Sequence, residues 1–321
     1  MCAERAFAAA YHALGRGVAL PQMSSRNRFR FTAQSDASYQ PPAYRGFPAT
    51  VPSPTDDGRE IMPVEPHSLE KHREFGRVMN AFARVAKSFG PTYLDLYAGP
   101  GVVRCQGRVH WGSPMLALQC ADPFRRLVFI EDDTRSYDAL VARAQALARR
   151  GERVSIFNGG AEECLDEALA ECPKQGLTLA VVDPFRLDFS MDSVVRLAHY
   201  LARLDLLLLF AEDMDLTRNL QQMLADPAKG RRVDSVLGDG SWRELYDPAK
   251  RDQHTARRVR ELYVDRLKTR AGFKYVGEPF QVRNSKNVPL YVLLYATRHD
   301  LGLKLWTDIT KPDQLSFNLA R

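Results

Sequence analysis

Short apolar runs alternate with segments of helical periodicity through most of the chain. Five runs predict strands at Tyr93–Leu96, Arg126–Glu131, Val154–Phe157, Leu177–Val182 and Leu206–Phe210. The last is apolar at every position, which is typical of a strand buried on both faces of a parallel sheet. Segments such as 68–89 carry apolar residues every three or four positions and predict the intervening helices. With a closing hairpin formed by 273–282 and 290–297, the pattern predicts an α/β fold with a Rossmann-like, seven-stranded sheet.

The first 62 residues differ in composition from the rest. Residues 1–62 are rich in Arg, Pro and Ser, and this composition buries too little apolar surface to order itself alone. We therefore expect a flexible segment over 1–62 and one α/β domain over 63–321, with a helical, basic insertion at 214–272. Arg and Phe alternate over 26–31, a pattern that could grip single-stranded nucleic acid by charge and stacking, although a basic tail has the same composition.

A glycine turn follows the first predicted strand. Asp95 near the strand end is a candidate ligand-binding residue, and so are the residues that follow it, Tyr97, Ala98, Gly99, Pro100 and Gly101. Glycine adopts positive φ readily and lets a ligand approach the backbone, so the turn is a candidate nucleotide-like site. An ordinary strand-to-loop turn is the alternative. A loop over 102–112, with basic and aromatic residues, separates this turn from the helix predicted to begin at Ser113-Pro114.

The second predicted strand ends in acids. Glu131 closes the strand and Asp132 follows it. A carboxylate at this place in a doubly wound sheet accepts two hydrogen bonds from a ribose diol. Glu131 is our first choice and Asp132 stays a candidate. Asn158, after the third strand, is a candidate contact for an adenine ring.

The fourth predicted strand runs into Asp183, Pro184 and Phe185. A carboxylate here can hydrogen-bond an exocyclic amine and aim the nitrogen lone pair at an electrophilic methyl group, while an aromatic ring stacks on the base. A strand-end acid followed by a turn-forming proline is the alternative. The three residues are candidate catalytic residues.

The three strand ends together resemble class I S-adenosylmethionine-dependent methyltransferases. The string 95–101 is similar to the Asp-Leu-Phe-Ala-Gly-Ser-Gly form of enzymes that methylate amino groups of ribosomal RNA and DNA. Over residues 68–310 the chain more closely resembles the three-Cys-motif partner family, TcmP, through 93–101, 112–118, 129–131, 182–185 and 294–302. This resemblance implies a methyltransferase-like fold and a companion protein that bears a three-cysteine motif.

The resemblance also implies roles for individual residues. Gly99 and Gly101 would admit the methionine part of S-adenosyl-L-methionine, Glu131 would hold its ribose, and Asp183 would bind the target amine. Amino-group methyltransferases usually have a second proline and then an aromatic residue, whereas this chain has Phe185 and Arg186. Two functions therefore stay open: a methyltransferase acting on a nucleic-acid amino group, or an inactive partner subunit that binds a three-cysteine-motif protein or nucleic acid.

Composition adds three expectations. With 45 Lys and Arg against 39 Asp and Glu, the formal charge is +6, and the basic stretch 229–260 is a candidate for contacting RNA or DNA, with a solvated helix face as the alternative. The longest apolar run, 206–211, is far shorter than the roughly 20 residues of a membrane span. Five cysteines without a Cys-x-x-Cys pair favour the cytoplasm.

Some classes of protein are disfavoured. The histidines lack metal-binding spacing, so we expect no bound metal. No Gly-x-Gly-x-x-Gly enters a helix directly and no Gly-Lys-Ser/Thr phosphate loop is present, which argues against nicotinamide dehydrogenases and nucleoside triphosphatases.

Overall fold

A computed structural model describes residues 28–34, 54–246, 255–284 and 286–311. The described strands, in chain order, are β1 (Arg28–Thr32), β2 (Met62–Pro63), β3 (Thr92–Asp95), β4 (Val102–Cys105), β5 (Arg108–Trp111), β6 (Arg126–Glu131), β7 (Arg153–Asn158), β8 (Leu177–Val182), β9 (Arg203–Phe210), β10 (Tyr275–Val276), β11 (Phe280–Arg283) and β12 (Pro289–Thr297). The described α-helices are α1 (Pro66–Ala86), α2 (Ser113–Leu118), α3 (Thr134–Leu147), α4 (Leu165–Ala170), α5 (Met191–Tyr200), α6 (Arg218–Ala225), α7 (Pro227–Leu237), α8 (Thr255–Thr269) and α9 (Asp300–Thr310).

The main sheet has the order β1-β7-β6-β3-β8-β9-β12-β10, with β11 also paired to β12. β7, β6, β3, β8 and β9 are parallel, and β12 runs antiparallel to β9. The apolar side chains of the middle strands are buried, including every residue of 206–211. The predicted mixed α/β domain, with helices around a central sheet, is therefore confirmed.

The sheet contains nine described strands, so the prediction of seven is wrong in number. One extra strand arises because the first arm of the expected closing hairpin is divided into β10 and β11. At the break, a Cβ on Gly277 would lie 2.1 Å from Cδ1 of Trp306, and the indole Nε1 of Trp306 donates a hydrogen bond of 2.8 Å to the Glu278 carbonyl. The chain therefore bends around Trp306, and Pro279 has no N–H to continue the ladder.

The other extra strand comes from the N-terminal segment. β1 pairs antiparallel with β7, which would otherwise be the edge strand with unpaired backbone groups. Arg28 and Arg30 also pair with Glu171. Residues 28–32 therefore do not fit the expectation of a flexible segment over 1–62. Residues 1–27 and 35–53 lie outside the described part of the chain.

Residues 54–63 are also held in place, whereas the sequence predicted a flexible segment over 1–62. The guanidinium of Arg143, on α3, donates to both Asp57 carboxylate oxygens, at 2.6 and 2.9 Å, and to the Glu60 carbonyl at 2.7 Å. A further bond of 2.7 Å reaches the Pro100 carbonyl. Arg143 thus ties this segment to the glycine turn.

The predicted loop over 102–112 is a β-hairpin. β4 and β5 pair antiparallel, and β2 joins β4 to give a separate three-stranded sheet. Its turn has positive φ at Gln106 (48°) and Gly107 (77°), as a tight two-residue hairpin turn requires. Arg104, one of the basic residues of this hairpin, pairs with Asp56 at 2.6 Å.

The region between β9 and β10 is helical where the structure describes it, although residues 247–254 lie outside that part. Its arginines have acidic neighbours: Arg232 pairs with Asp215, Arg260 with Glu212, Arg257 with Glu261 and Arg266 with Asp239. Much of the positive charge expected to contact phosphates is therefore neutralised within the protein.

The described residues contain neither a candidate membrane-spanning helix nor a candidate metal-binding cluster. Among their helices, none combines the length and the apolar character that a membrane span requires. Over the same ranges, no three His, Cys, Asp or Glu side chains gather where they could hold a metal ion.

Candidate functional site

A cavity of about 350 Å³ opens at the carboxyl ends of the parallel strands. Its lining comes from the segments that follow β3, β6 and β8, together with the start of α1 and Tyr291 of β12. The lining includes Tyr97, Ala98, Gly99, Pro100, Gly101, Glu131, Asp132, Asp183, Pro184 and Phe185. β3 lies between β6 and β8, where the strand order changes direction, and ligands of doubly wound sheets bind at this place.

The glycine turn passes the cavity in a conformation that favours glycine. Gly99 has φ of 63° and Gly101 has φ of 82°. A Cβ on Gly101 would lie 3.0 Å from Cγ of Met115, and one on Gly99 would lie 3.3 Å from Cε of Met62. Both positions therefore need glycine for the backbone conformation and for close packing.

Replacement of Gly101 by alanine should lower the free energy of unfolding by about 2–4 kcal/mol, because left-handed strain adds to the contact with Met115. Gly107 is the matched control: its φ is 77°, but nothing lies within 4 Å of an added Cβ. Gly107→Ala should cost only the strain, about 1–2 kcal/mol. Urea denaturation measures both losses, and equal losses would contradict close packing at Gly101.

Asp95 lies beneath the turn. It is fully buried and is not part of the cavity lining. Its carboxylate accepts hydrogen bonds from Tyr93 Oη (2.9 Å), the Tyr97 backbone N–H (3.2 Å) and the Ser113 side chain. Burial raises the pKa of Asp95 to about 6. The structure thus places Asp95 where it orients the turn, and Ser113 bonds to it instead of capping α2, whose N-cap is Gly112.

Glu131 lies in the cavity wall between the turn and the start of α3. Its Oε2 accepts a 2.7 Å hydrogen bond from the Gly99 N–H, and its Oε1 accepts one of 3.0 Å from the Asp133 N–H. Each oxygen keeps a second lone pair for a ligand hydroxyl. Burial raises the pKa of Glu131 to about 7, and the two backbone donors oppose the rise.

The raised pKa of Glu131 gives a pH dependence of stability. The unfolded carboxyl has a pKa of 4.5, so the folded state binds the proton more tightly. The stabilisation is fully present below pH 4.5 and is lost as the pH rises through about 7, with a slope of at most about 1.4 kcal/mol per pH unit. Glu131→Gln lacks this slope, so the difference in urea stability between the wild type and the variant should change with pH between about 4.5 and 7. Parallel curves would contradict the raised pKa.

Asn158 does not reach the cavity. Its Nδ2 donates to the Glu131 carbonyl (3.0 Å) and the Asp132 carbonyl (3.3 Å), and its Oδ1 accepts from Thr134 Oγ1 (3.2 Å). The amide therefore joins β7 to the end of β6. The backbone continues to Gly159, which does line the cavity. The predicted adenine contact by the Asn158 side chain is not supported by this geometry.

Asp183 forms an ion pair that the sequence did not predict. Its Oδ2 lies 2.6 Å from Nζ of Lys71, on the first turns of α1, and the two side chains are only 8% and 14% exposed. Oδ1 of Asp183 is buried without a hydrogen-bond partner. Burial raises the pKa of Asp183, and the Lys71 ammonium opposes the rise. The site therefore contains one unused acceptor atom beside a fixed positive charge.

His72 is a second cavity residue with an unused atom. Its Nδ1 is buried without a partner. Burial, together with the nearby charges of Lys71 and His110, lowers the pKa of His72 to about 3. The imidazole is therefore neutral near pH 7, and its Nδ1 is an unpaired hydrogen-bonding atom of a residue that lines the cavity.

Phe185 and its neighbour form the mouth of the cavity. Phe185 is 79% exposed, and Arg186 is exposed beside it, while Pro184 is buried. The loop is held from behind, since the Leu187 N–H donates a 3.1 Å hydrogen bond to Oδ2 of Asp215. The phenyl ring is therefore free to contact a ligand at the mouth, rather than being packed over Asp183.

Comparison with known proteins gives distant similarities. No protein-family model matches the chain, and no curated protein matches it. Protein LPL1258 from Legionella pneumophila, described with the family model DUF519, is 10% identical, with 74% of this chain and 94% of that chain covered and a TM-score of 0.42. Cofactor-bound Rv0187 from MTB is 15% identical, with coverage of 69% and 79% and a TM-score of 0.37.

A third similar structure is an O-methyltransferase from Bacillus cereus in complex with SAH, which is 11% identical, with coverage of 72% and 86% and a TM-score of 0.37. Similarities at this level carry no argument about function. The chain's own features are consistent with a methyltransferase-like fold: parallel strands followed by an antiparallel one, and a glycine turn at the carboxyl end of β3.

Proposed function

We propose that the protein is an S-adenosylmethionine-dependent methyltransferase that acts on an amino group of a nucleic acid. The observation that carries the proposal is the unpartnered Oδ1 of Asp183, because Asp183 lines the same cavity as the glycine turn and Glu131. A buried acceptor without a partner costs about 1–3 kcal/mol, and a ligand N–H removes that cost.

The cavity residues fit the cofactor. Gly99 and Gly101 would lie beside its methionine part, and Glu131 would accept hydrogen bonds from the ribose hydroxyls, with Asp132 next to it. S-adenosylmethionine supplies an electrophilic methyl group when it is bound. The spare lone pairs of Glu131 and the glycine backbone match the polar and close-packed parts of such a ligand.

The protein's own side chains would position the target amine for methyl transfer. Asp183 Oδ1 would accept a hydrogen bond from the amino group and so orient the nitrogen lone pair. Lys71 favours the ionised form of Asp183, and it holds the carboxylate through Oδ2. Phe185 at the mouth would stack on the base that carries the amine.

A second candidate function is an inactive partner subunit, in line with the resemblance to TcmP. Lys71 already occupies one oxygen of Asp183, and the exposed Arg186 stands where amino-group methyltransferases have an aromatic ring. Such a protein would keep the fold and bind a three-cysteine-motif protein or a nucleic acid. We place either form in the cytoplasm, since the described cysteines Cys105, Cys120, Cys164 and Cys172 are free thiols.

Transfer of labelled methyl groups separates the two candidates. The proposed enzyme should move label from S-adenosylmethionine to total RNA or DNA, and nuclease digestion should release the label on a base amino group. Cofactor binding without incorporation into either polymer, with the three-cysteine-motif partner present, would contradict the enzyme and support the inactive subunit.

A further inference from the structure

A second concave site lies at the amino ends of the parallel strands, the end of the main sheet opposite the cavity. This groove, of about 390 Å³, is lined at the amino ends of β6 and β7 and along β1 by Arg30, Thr32, Arg126, Arg153, Ser155 and Glu171. The cofactor cavity lies at the carboxyl ends of the same strands, roughly 17 Å away along β6 at about 3.3 Å per residue. The groove is therefore not part of the methyl-transfer site.

The strand register gathers the groove's arginines on one face. Arg126 is opposite Arg153 in the β6–β7 ladder, and Arg30 is opposite Ser155 in the β7–β1 ladder. Residues opposite each other on neighbouring strands point to the same face, about 4.8 Å apart. Arg126, Arg153 and Thr32 thus form a row across three strands that ends at the exposed edge strand β1, and Arg30 lies on the same face of β1, two residues from Thr32.

The charge of this row is not balanced. Glu171 is the acid in the groove, and its carboxylate is already shared by Arg28, Arg30 and Oγ of Ser155. Within the described ranges, Arg126 and Arg153 have neither an ion pair nor a hydrogen bond from the side chain. Burial lowers the pKa of Arg126, and the neighbouring Arg153 and Arg125 lower it further. Like charges are thus held together where an anion would relieve their repulsion.

We propose that this groove binds phosphodiester groups of a single-stranded nucleic-acid backbone. Guanidinium groups bind phosphate oxygens with bidentate geometry, and the adjacent Arg126 and Arg153, with Arg30 on the same face, can reach successive phosphates. The groove lies at the edge of the sheet, so a polymer can continue past it, and its lining of arginines predicts binding that does not depend on base sequence. The site does not rest on the proposed methyl transfer.

The test is fluorescence anisotropy of a labelled single-stranded RNA oligonucleotide with the full chain. Arg126→Gln/Arg153→Gln should weaken binding by about tenfold or more near 50 mM salt and reduce the slope of log affinity against log salt by about 1.4, at about 0.7 per phosphate contact. Arg126→Lys/Arg153→Lys keeps the charge but loses the bidentate geometry, so its affinity should lie between those of the Gln variant and the wild type. Circular dichroism and thermal melting show that each variant is folded.

The matched control removes two arginines elsewhere. Arg218 and Arg231 are exposed on α6 and α7, in the helical insertion expected over 214–272, and Arg218→Gln/Arg231→Gln should change affinity by less than about threefold. Unchanged binding in the folded groove variant would overturn the proposal, as would a larger loss in the control. Displacement of the oligonucleotide by an equal concentration of inorganic phosphate would also overturn it, since the groove would then be a site for a small anion.

Discussion

Replacement of Asp183 by asparagine should lower the free energy of unfolding by about 3–5 kcal/mol and reduce methyl transfer by about 10²- to 10⁴-fold. The stability loss arises because Lys71, only 14% exposed, keeps a buried charge without its partner. The activity loss arises because the neutral amide cannot replace the carboxylate that positions the amine. Urea denaturation and labelled methyl transfer measure the two effects.

The double variant Lys71→Met/Asp183→Asn separates stability from function. Removing both charges should recover most of the stability, since paired buried charges contribute little net free energy. Methyl transfer should stay lost. Asp122→Asn is the control, because its ion pair with Lys87 is long, at 3.8 Å, and Lys87 is 62% exposed, so its loss should cost less than about 1 kcal/mol. A stable double variant with normal transfer would exclude Asp183 from the chemistry.

Replacement of Glu131 by glutamine should weaken S-adenosylmethionine binding by about 2–4 kcal/mol, which is about 30- to 1000-fold. The amide loses the charge that strengthens hydrogen bonds from the ribose hydroxyls, while its size is unchanged. Wild-type affinity should also rise with pH through about 7, the pKa of Glu131, because ionisation restores the second acceptor oxygen.

Glu163→Gln provides the control for charge, because Glu163 is an exposed acid of the segment that follows β7. The affinity of the Glu163→Gln variant for S-adenosylmethionine should equal that of the wild type. Calorimetry across pH 6 to 8 measures both variants. Equal affinities of the wild type and Glu131→Gln would remove Glu131 from the binding site.

The strand ends that line the cavity were predictable from sequence because their signals are local. An apolar run predicts a strand, and the residues that follow it, such as Gly99 and Gly101 or Glu131, are then candidate site residues at the end of that strand. The parallel sheet then brings these ends to one edge, as the structure shows. The mixed α/β architecture follows from the same pattern.

Lys71 could not be predicted in the same way. It is a polar position of an amphipathic helix, and such positions are usually solvated, so the sequence carries no signal for its contact with Asp183. Ser113 and Asn158 show a related limit. The local sequence predicts a helix cap at Ser113 and a ligand contact at Asn158. In the folded protein, Ser113 bonds to Asp95 and Asn158 bonds to the end of β6.

β1 did have a sequence signal. The order Arg28-Phe29-Arg30-Phe31-Thr32 alternates polar and apolar residues, which is the period of a half-buried strand. The surrounding Pro- and Ser-rich composition favoured a flexible segment. β1 forms because β7 has an edge that no other strand covers. That edge depends on the order of strands in the sheet, which the residues near β1 do not reveal.

The central claim is that the cavity beside the glycine turn binds S-adenosylmethionine. Isothermal titration of the intact chain with this cofactor tests it most directly. We expect saturable binding at one site per chain, with a dissociation constant well below 1 mM, equivalent to a binding free energy more favourable than about −4 kcal/mol. Absence of binding up to about 1 mM cofactor would contradict the account.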